Sequence, residues 1–310
     1  MFCDAHSRYR RHLNMKTLIY DAAIADIEEH LGCFFQCQAL AAESITAAAL
    51  THTQVLVTRS HQRLDAALLE KSPIEVVATP ASGVDHMDIP WLQQNNIHAI
   101  SAPGCNAAAV TDYVCGVLAN ALQAGKINDS ATIGVVGLGH VGSLCADRLQ
   151  TLGFNVLCFD PPRAARDATF HTTDLVHLSH CDVITLHCNL HRQSPYATFH
   201  WLDAARLSLL KDNCLIINAA RGSVVDRAAM LAEGQRLCWA LDVYDSEPTI
   251  AGADVKHAWL ATPHIAGHAI EAKQRASAMV AAKICRYYNL PAPRVLPLPK
   301  PKLEKKSWLA

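Results

Sequence analysis

From Met15 onward, short apolar runs alternate with stretches whose apolar residues recur at helical spacing. Runs at 17–20, 55–58, 75–78 and 98–100 predict strands, with helical patterns between the first two and at 65–70. Such alternation predicts a small parallel α/β unit. Pro103 and Gly104 then mark a turn, and the apolar, alanine-rich stretch 107–124 predicts a buried linking helix.

A second series follows with a stronger signal. Strands are predicted at 132–136, 155–159, 183–187, 214–218, 237–241 and 259–261, with a helix at 140–152 after the first of them. These runs are almost continuously apolar, which fits a parallel sheet covered on both faces. Residues 269–288 predict one long helix, and the tail is broken by Pro291, Pro293, Pro297, Pro299 and Pro301. The chain therefore reads as α/β with two parallel-sheet domains. One comprises residues 15–106 plus 285–310, the other residues 107–284 with the linking helices.

Composition narrows the class. Hydrophobic residues make up 51% of the 310 positions and charged ones 18%, which excludes disorder and coiled coil. Twenty-seven Lys and Arg against 28 Asp and Glu leave a net charge of -1, so no basic face for nucleic acid is expected. No apolar run is long enough to cross a bilayer, and no membrane partner is expected. The leader before Met15 carries Arg8, Arg10 and Arg11 without the apolar run of a signal peptide; translation starting at Met15 accounts for it. The stretch 302–306 reads as a solvated tail. Twelve cysteines are scattered through apolar runs, as free thiols in a reducing, cytoplasmic compartment would be. Cys33 and Cys37 are the closest pair, with no second pair at zinc-site spacing, so no metal is expected.

Chemistry enters with Gly137-Leu138-Gly139-His140-Val141-Gly142, which directly follows a predicted strand and opens a helix. The first glycine allows a tight turn, the second lets backbone approach a pyrophosphate, and the third lets helix and sheet pack closely. Asp160 ends the next strand, where it can accept hydrogen bonds from ribose hydroxyls and repel a 2'-phosphate, so NAD is expected over NADP. Arg163 argues mildly for the phosphate. Beyond later strands stand Arg221, Glu247 and His264. Oxidation of a 2-hydroxy acid needs a cation for the carboxylate, a group that takes the hydroxyl proton and a partner that tunes that group. Arg221, His264 and Glu247 suit these roles in that order, although the same three residues could form a structural ion network.

The chain resembles the D-isomer-specific 2-hydroxyacid dehydrogenase family from Met15 to about Tyr288. Beside the glycine motif, the matching blocks are Asn218-Ala219-Ala220-Arg221-Gly222-Ser223-Val224-Val225-Asp226, Asp242-Val243-Tyr244-Asp245-Ser246-Glu247-Pro248 and Thr262-Pro263-His264-Ile265-Ala266-Gly267. The resemblance implies two Rossmann-like domains, a flavodoxin-like substrate domain and an NAD-binding domain, and a homodimer paired through the latter. It makes Arg221 the carboxylate ligand, His264 the acid/base and Glu247 its partner. Gly137, Gly139, His140, Val141, Gly142, Asp160, Cys188, Ala219, Asp242 and Gly267 would contact NAD, and Ser60 the substrate; Arg59, Ser82 and His268 are further substrate candidates by position.

Within the family, Ser101-Ala102-Pro103-Gly104-Cys105-Asn106-Ala107 and Asp160-Pro161-Pro162-Arg163-Ala164 are most similar to members that oxidise 4-phospho-D-erythronate. In that case Arg59, Ser60, His61 and Arg63, after the strand at 55–58, are expected to bind the phosphate. Three departures bear on this. Pro80-Ala81-Ser82-Gly83 replaces a Thr-Ala-Gly loop, so Ser82 must supply the hydroxyl; His268 stands where a tyrosine is expected; and the chain ends at Ala310, short of a C-terminal dimerisation domain. The alternatives are a reductase of glyoxylate or hydroxypyruvate, or another small D-2-hydroxy acid dehydrogenase, and a non-catalytic NAD-sensing protein.

Overall fold

A computed structural model describes residues 15–297. The basic leader, Pro299, Pro301 and the charged stretch 302–306 lie outside them. The described chain forms two compact units, one of residues 15–105 with 269–297 and one of residues 106–268.

In the first unit, β1 (Thr17–Asp21), β2 (Gln36–Leu40), β3 (Val55–Val57), β4 (Val76–Ala78) and β5 (His98–Ile100) form a parallel sheet in the order β2-β1-β3-β4-β5. Alternate residues go to opposite faces of a strand. Leu18, Tyr20, Val55 and Val57 accordingly enter one core and Ile19, Leu56 and Val77 the other. β2 falls where only helical patterns were predicted. It is an edge strand whose residues are exposed or half-buried, so it carries no continuous apolar run to reveal it.

The helix Ile270–Tyr287 belongs to this unit, so the boundary expected between 284 and 285 falls between 268 and 269. The reason is its apolar stripe. Ala276, Val280, Ala281, Ile284 and Cys285 recur at helical spacing and pack in the same core as Leu18, Tyr20 and Val55.

The second unit holds β6 (Thr132–Val136), β7 (Asn155–Phe159), β8 (Val183–Leu186), β9 (Leu215–Asn218), β10 (Cys238–Leu241) and β11 (Leu260–Ala261), again all parallel, in the order β11-β10-β9-β8-β6-β7. On one face the helix Ala107–Gln123 contributes Val114, Val117, Leu118 and Ala121 to a core with Ile133, Val135 and Leu149. The register aligns the strand ends: Phe159 pairs with Val136, Val136 with Leu186, Leu186 with Asn218, Asn218 with Leu241 and Leu241 with Ala261. Asp160, Gly137, His187, Ala219, Asp242 and Thr262 are therefore the first residues past one common edge.

Both sheets reverse their strand order once. The chain goes from β1 to β2 on one side and then to β3 on the other, and it repeats the manoeuvre from β6 to β7 and β8. Open α/β sheets bind ligands beyond the carboxyl ends of the strands at such a switch point. Among the described residues no helix is long and apolar enough to cross a membrane.

Ile284 is fully buried beneath the first sheet. Ile284→Ala should destabilise the protein by about 2–5 kcal/mol, read from the midpoint of urea unfolding. A loss well under 1 kcal/mol would mean that the helix contributes little to this core.

Candidate active site

The glycine turn sits at the second switch point. Gly137 has φ +86°, and a Cβ there would lie 2.8 Å from the Cys188 nitrogen at the end of β8, so only glycine lets the two strand ends meet this closely. A Cβ on Gly142 would lie 1.8 Å from the Gly137 oxygen, which presses the helix His140–Thr151 onto the turn. Gly139 differs, with nothing within 4 Å of its Cβ position. It is the N-cap of that helix, no side chain caps it, and both it and His140 are exposed. The helix thus presents orphan N–H groups and the positive end of its dipole to open space, as a pyrophosphate requires.

A cleft of about 540 Å³ opens here, lined by Gly137, Gly139, Asp160, Arg163, His187 and Cys188 among others. The Asp160 carboxylate accepts from the Leu138 N–H at 2.6 Å and from the Arg163 N–H at 2.9 Å, which fixes it on the rim beside the turn. Arg163 donates to the Leu138 carbonyl at 3.3 Å and to Ser143 Oγ at 3.2 Å, with its guanidinium 4.4 Å from the Phe170 ring centre. That leaves the acidic residue, rather than the arginine, at the end of β7. Burial pushes the Cys188 thiol up to about 12 and the His187 imidazole down to about 4, so these two groups in the wall of the cleft are uncharged at neutral pH. His187 hydrogen-bonds Thr185 through Nε2 at 3.0 Å, and its buried Nδ1 has no protein partner. Sequence reasoning passed over His187, since a histidine closing an apolar strand carries no motif. These groups fit NAD.

Farther along the same edge lie the three ionisable residues. Arg221 is the third residue past β9, and Asn218 braces it by donating to its carbonyl at 3.0 Å and accepting from the Ala220 N–H at 3.1 Å. A Cβ on Gly222 would lie 2.1 Å from the Tyr244 carbonyl carbon, so this loop runs directly against the segment that carries Glu247. His264 Nδ1 lies 2.7 Å from Glu247 Oε2, and Glu247 Oε1 accepts from the Tyr244 N–H at 2.9 Å. With both carboxylate oxygens occupied, Nδ1 carries the proton and Nε2 is the basic nitrogen. The His264 side chain is 48% exposed, enough to meet a substrate.

Electrostatics support that division of labour. The hydrogen bond to Glu247 raises the His264 pKa above the ordinary imidazole value against the opposing effect of burial, and the Glu247 charge adds to the rise. Burial would raise the Glu247 pKa, yet the hydrogen bonds from His264 and Tyr244 and the charges of His264 and Arg221 bring it below the usual carboxylate value. Both shifts favour the ion pair.

His264 has φ +55°, uncommon for a non-glycine residue, and Asp242 holds its loop in place. Asp242 is fully buried; it accepts from Thr262 Oγ1 at 2.6 Å, the Ile265 N–H at 2.8 Å and the Ala266 N–H at 2.9 Å. Tyr113, on the Ala107–Gln123 helix, donates in turn to Thr262 Oγ1 at 2.7 Å. The Asp242 carboxylate, expected at the cofactor, thus also holds the loop that carries His264, and Tyr113 was not foreseen at all. Ala219 is half-buried on the common edge, and Gly267 is covered by Asn106, whose Nδ2 would be 2.7 Å from a Cβ there. The His268 ring lies parallel to His264 at 6.2 Å between centres.

In the first unit, Arg59, Ser60 and His61 are exposed beyond β3, at that sheet's switch point. Arg59 Nε donates to Asp21 at 2.7 Å. Arg63 points elsewhere, 72% exposed and bonded to Asp65 at 2.9 Å. Ser82 follows β4 and bonds back to the Ala102 carbonyl at 3.4 Å.

Comparison with known proteins shows the family and the fold. Residues 117–266 match the model of the D-isomer specific 2-hydroxyacid dehydrogenase, NAD binding domain. The chain belongs to the D-isomer-specific 2-hydroxyacid dehydrogenase family, and it is an NAD-dependent oxidoreductase acting on a small hydroxy acid. Among its relatives, the erythronate-4-phosphate dehydrogenase of Legionella pneumophila (strain Lens) is 40% identical over 252 residues, 81% of this chain and 72% of that protein. The erythronate-4-phosphate dehydrogenase of Pseudomonas syringae pv. syringae is 38% identical over 300 residues, 94% of this chain and 77% of that protein. Among solved structures, D-lactate dehydrogenase from Aquifex aeolicus, complexed with NAD and lactic acid, superposes with a TM-score of 0.73 at 20% identity over 88% of this chain and 96% of its own. NAD-bound 3-phosphoglycerate dehydrogenase from Entamoeba histolytica gives 0.74 at 20% identity, over 89% and 96%.

The His264–Glu247 pair sets a pH dependence. Oxidation requires the unprotonated Nε2, so kcat/KM for the acid should fall as pH drops through the raised His264 pKa. Glu247→Gln removes the anion and leaves one oxygen for two donors. Its acid limb should move to lower pH and its turnover drop about a hundredfold, because the ring is released to the wrong tautomer. An unmoved acid limb in the pH–rate profile would detach the titration from this pair.

Proposed function

We propose that the protein oxidises 4-phospho-D-erythronate to the corresponding 2-oxo acid. The observation that carries the reading is the hydrogen bond from His264 to Glu247 on the same sheet edge as Arg221 and the glycine turn. Arg221 binds the substrate carboxylate in a bidentate manner and orients C2. His264 Nε2 takes the C2 hydroxyl proton, and Glu247 stabilises the imidazolium that results. NAD, when bound, would supply the acceptor for the hydride from C2. Gly139 and the helix behind it would hold the pyrophosphate, and Asp160 the adenosine ribose. Gly137, His140, Val141, Gly142, Cys188, Ala219 and Gly267 shape the surface the cofactor lies on.

The phosphate distinguishes this acid from lactate or glycerate. Arg59 is the cation best suited to it, with Ser60 beside it; Ser82 and His268 complete the set of substrate contacts. The names of the relatives support the same substrate. A panel of 2-hydroxy acids with and without a terminal phosphate, followed by reduced-nicotinamide absorbance, tests the reading. The phosphorylated four-carbon acid should give the highest kcat/KM, His264→Ala should lower kcat about a hundredfold with NAD affinity retained, and Arg59→Ala should cost tenfold or more on the phosphorylated acid and less on its unphosphorylated analogue. A preference for glycerate or glyoxylate would replace the substrate, and near-normal turnover of His264→Ala would remove the acid/base.

We further infer a homodimer, because soluble oligomers are predominantly closed dimers and the chain belongs to a family that resemblance marks as dimeric. Light scattering should return twice the monomer mass; a monomer at assay concentrations would overturn this. The free cysteines support a reducing, cytoplasmic location.

A further inference from the structure

At the switch point of the first sheet, β1 ends in a carboxylate that the mechanism does not use. Asp21 is 1% exposed, the last residue of β1, and borders the row where β3 ends. Its two oxygens do different work. Oδ1 accepts from the Ala23 N–H at 3.0 Å, and Oδ2 accepts from Arg59 Nε at 2.7 Å, with His61 Nε2 3.7 Å away. The Asp21 side chain is buried and that of Arg59 is 45% exposed, so the guanidinium is gripped from beneath while part of it reaches solvent.

The edge that is gripped matters. A guanidinium presents donors in a rigid fork, and a tether at Nε leaves the pair of terminal nitrogens available to an anion. Both terminal nitrogens lack a hydrogen-bond partner among the described residues. Burial alone would raise the Asp21 pKa, but the hydrogen bonds from Arg59 and Ala23 and the Arg59 charge hold it below the ordinary carboxylate value. Burying a carboxylate is costly unless it is paired and hydrogen-bonded, and here the pairing partner is the one cation already assigned to the substrate phosphate.

We propose that Asp21 is a positioning residue for substrate recognition: it fixes Arg59 by Nε so that the two terminal nitrogens meet the phosphate of the acid as a preformed fork. This rests on the reading of the substrate given above. An amide cannot do the same work, because its single oxygen serves either Ala23 or Arg59 and its NH₂ then faces an N–H. An untethered arginine must be ordered at each binding event, and that entropy comes out of the affinity for the phosphate.

The test compares the phosphorylated acid with its unphosphorylated analogue in the full-length protein. Asp21→Asn should raise KM for the phosphorylated acid tenfold or more while kcat moves much less, collapsing the ratio of the two kcat/KM values. In an Arg59→Ala background the same substitution should leave that ratio where Arg59→Ala put it, since Asp21 acts only through Arg59. NAD affinity and the melting temperature report whether the variant is folded. If Asp21→Asn fails to fold, Arg59→Lys supplies the answer, since it keeps the charge and loses the fork and should collapse the ratio too. A wild type without preference for the phosphorylated acid overturns the substrate reading and this proposal with it. A wild type that has the preference, with Asp21→Asn or Arg59→Lys retaining it, or with Asp21 and Arg59 effects that add, overturns the role of Asp21 alone.

Discussion

The register of the second sheet is the constraint on which the site depends. Parallel strands aligned from Phe159 to Ala261 end on one line, and each loop leaving that line delivers one chemical function. Neighbouring strands are about 4.8 Å apart, so the edge from Asp160 to the loop of Glu247 spans roughly 20 Å, the scale of an extended dinucleotide. The residues proposed for ribose, pyrophosphate, carboxylate and proton are thus ordered by strand position, although they are scattered over more than a hundred residues of sequence. A slip of one residue in any strand would turn its side chains to the other face and break the order.

Much of this order was legible in the sequence. Continuous apolar strands, the glycine turn and Asp160 are local signals, set by what a buried parallel strand and a tight turn demand of their own residues. Arg221, Glu247 and His264 were recognisable because each closes a strand or a short loop of the expected type. What escaped was what depends on a partner distant in sequence. Gln36–Leu40 is a strand only because β1 lies beside it, and the helix Ile270–Tyr287 joins the first unit only because its stripe matches the core of β1 and β3. Asp21 reads as the polar end of an apolar run until Arg59 is found upon it. The bracing of the His264 loop by Asp242 was likewise invisible, because it depends on burial and on hydrogen bonds to residues some twenty positions on.

The two units apply one design to different ends. Each uses a sheet that reverses direction once, and each puts its chemistry at the reversal. In the second unit the reversal is lined by glycines and orphan N–H groups, which suit a diffuse diphosphate. In the first it holds a single guanidinium on a buried carboxylate, which suits a compact, strongly charged group. Backbone donors and a tethered arginine are two solutions to anion binding, and they differ in how sharply they discriminate shape.

The left-handed backbone at His264 carries a cost that the enzyme cannot shed. A non-glycine residue with φ near +55° is held there by its surroundings, at about 1–3 kcal/mol for conformations of this kind. Asp242, Tyr113 and Thr262 are the surroundings that hold it. The residue types that relax such a conformation, glycine and asparagine, are ones that cannot accept the proton. Selection for thermal robustness and selection for turnover therefore pull this position in opposite directions, and a lineage released from catalysis would be expected to drift first at His264.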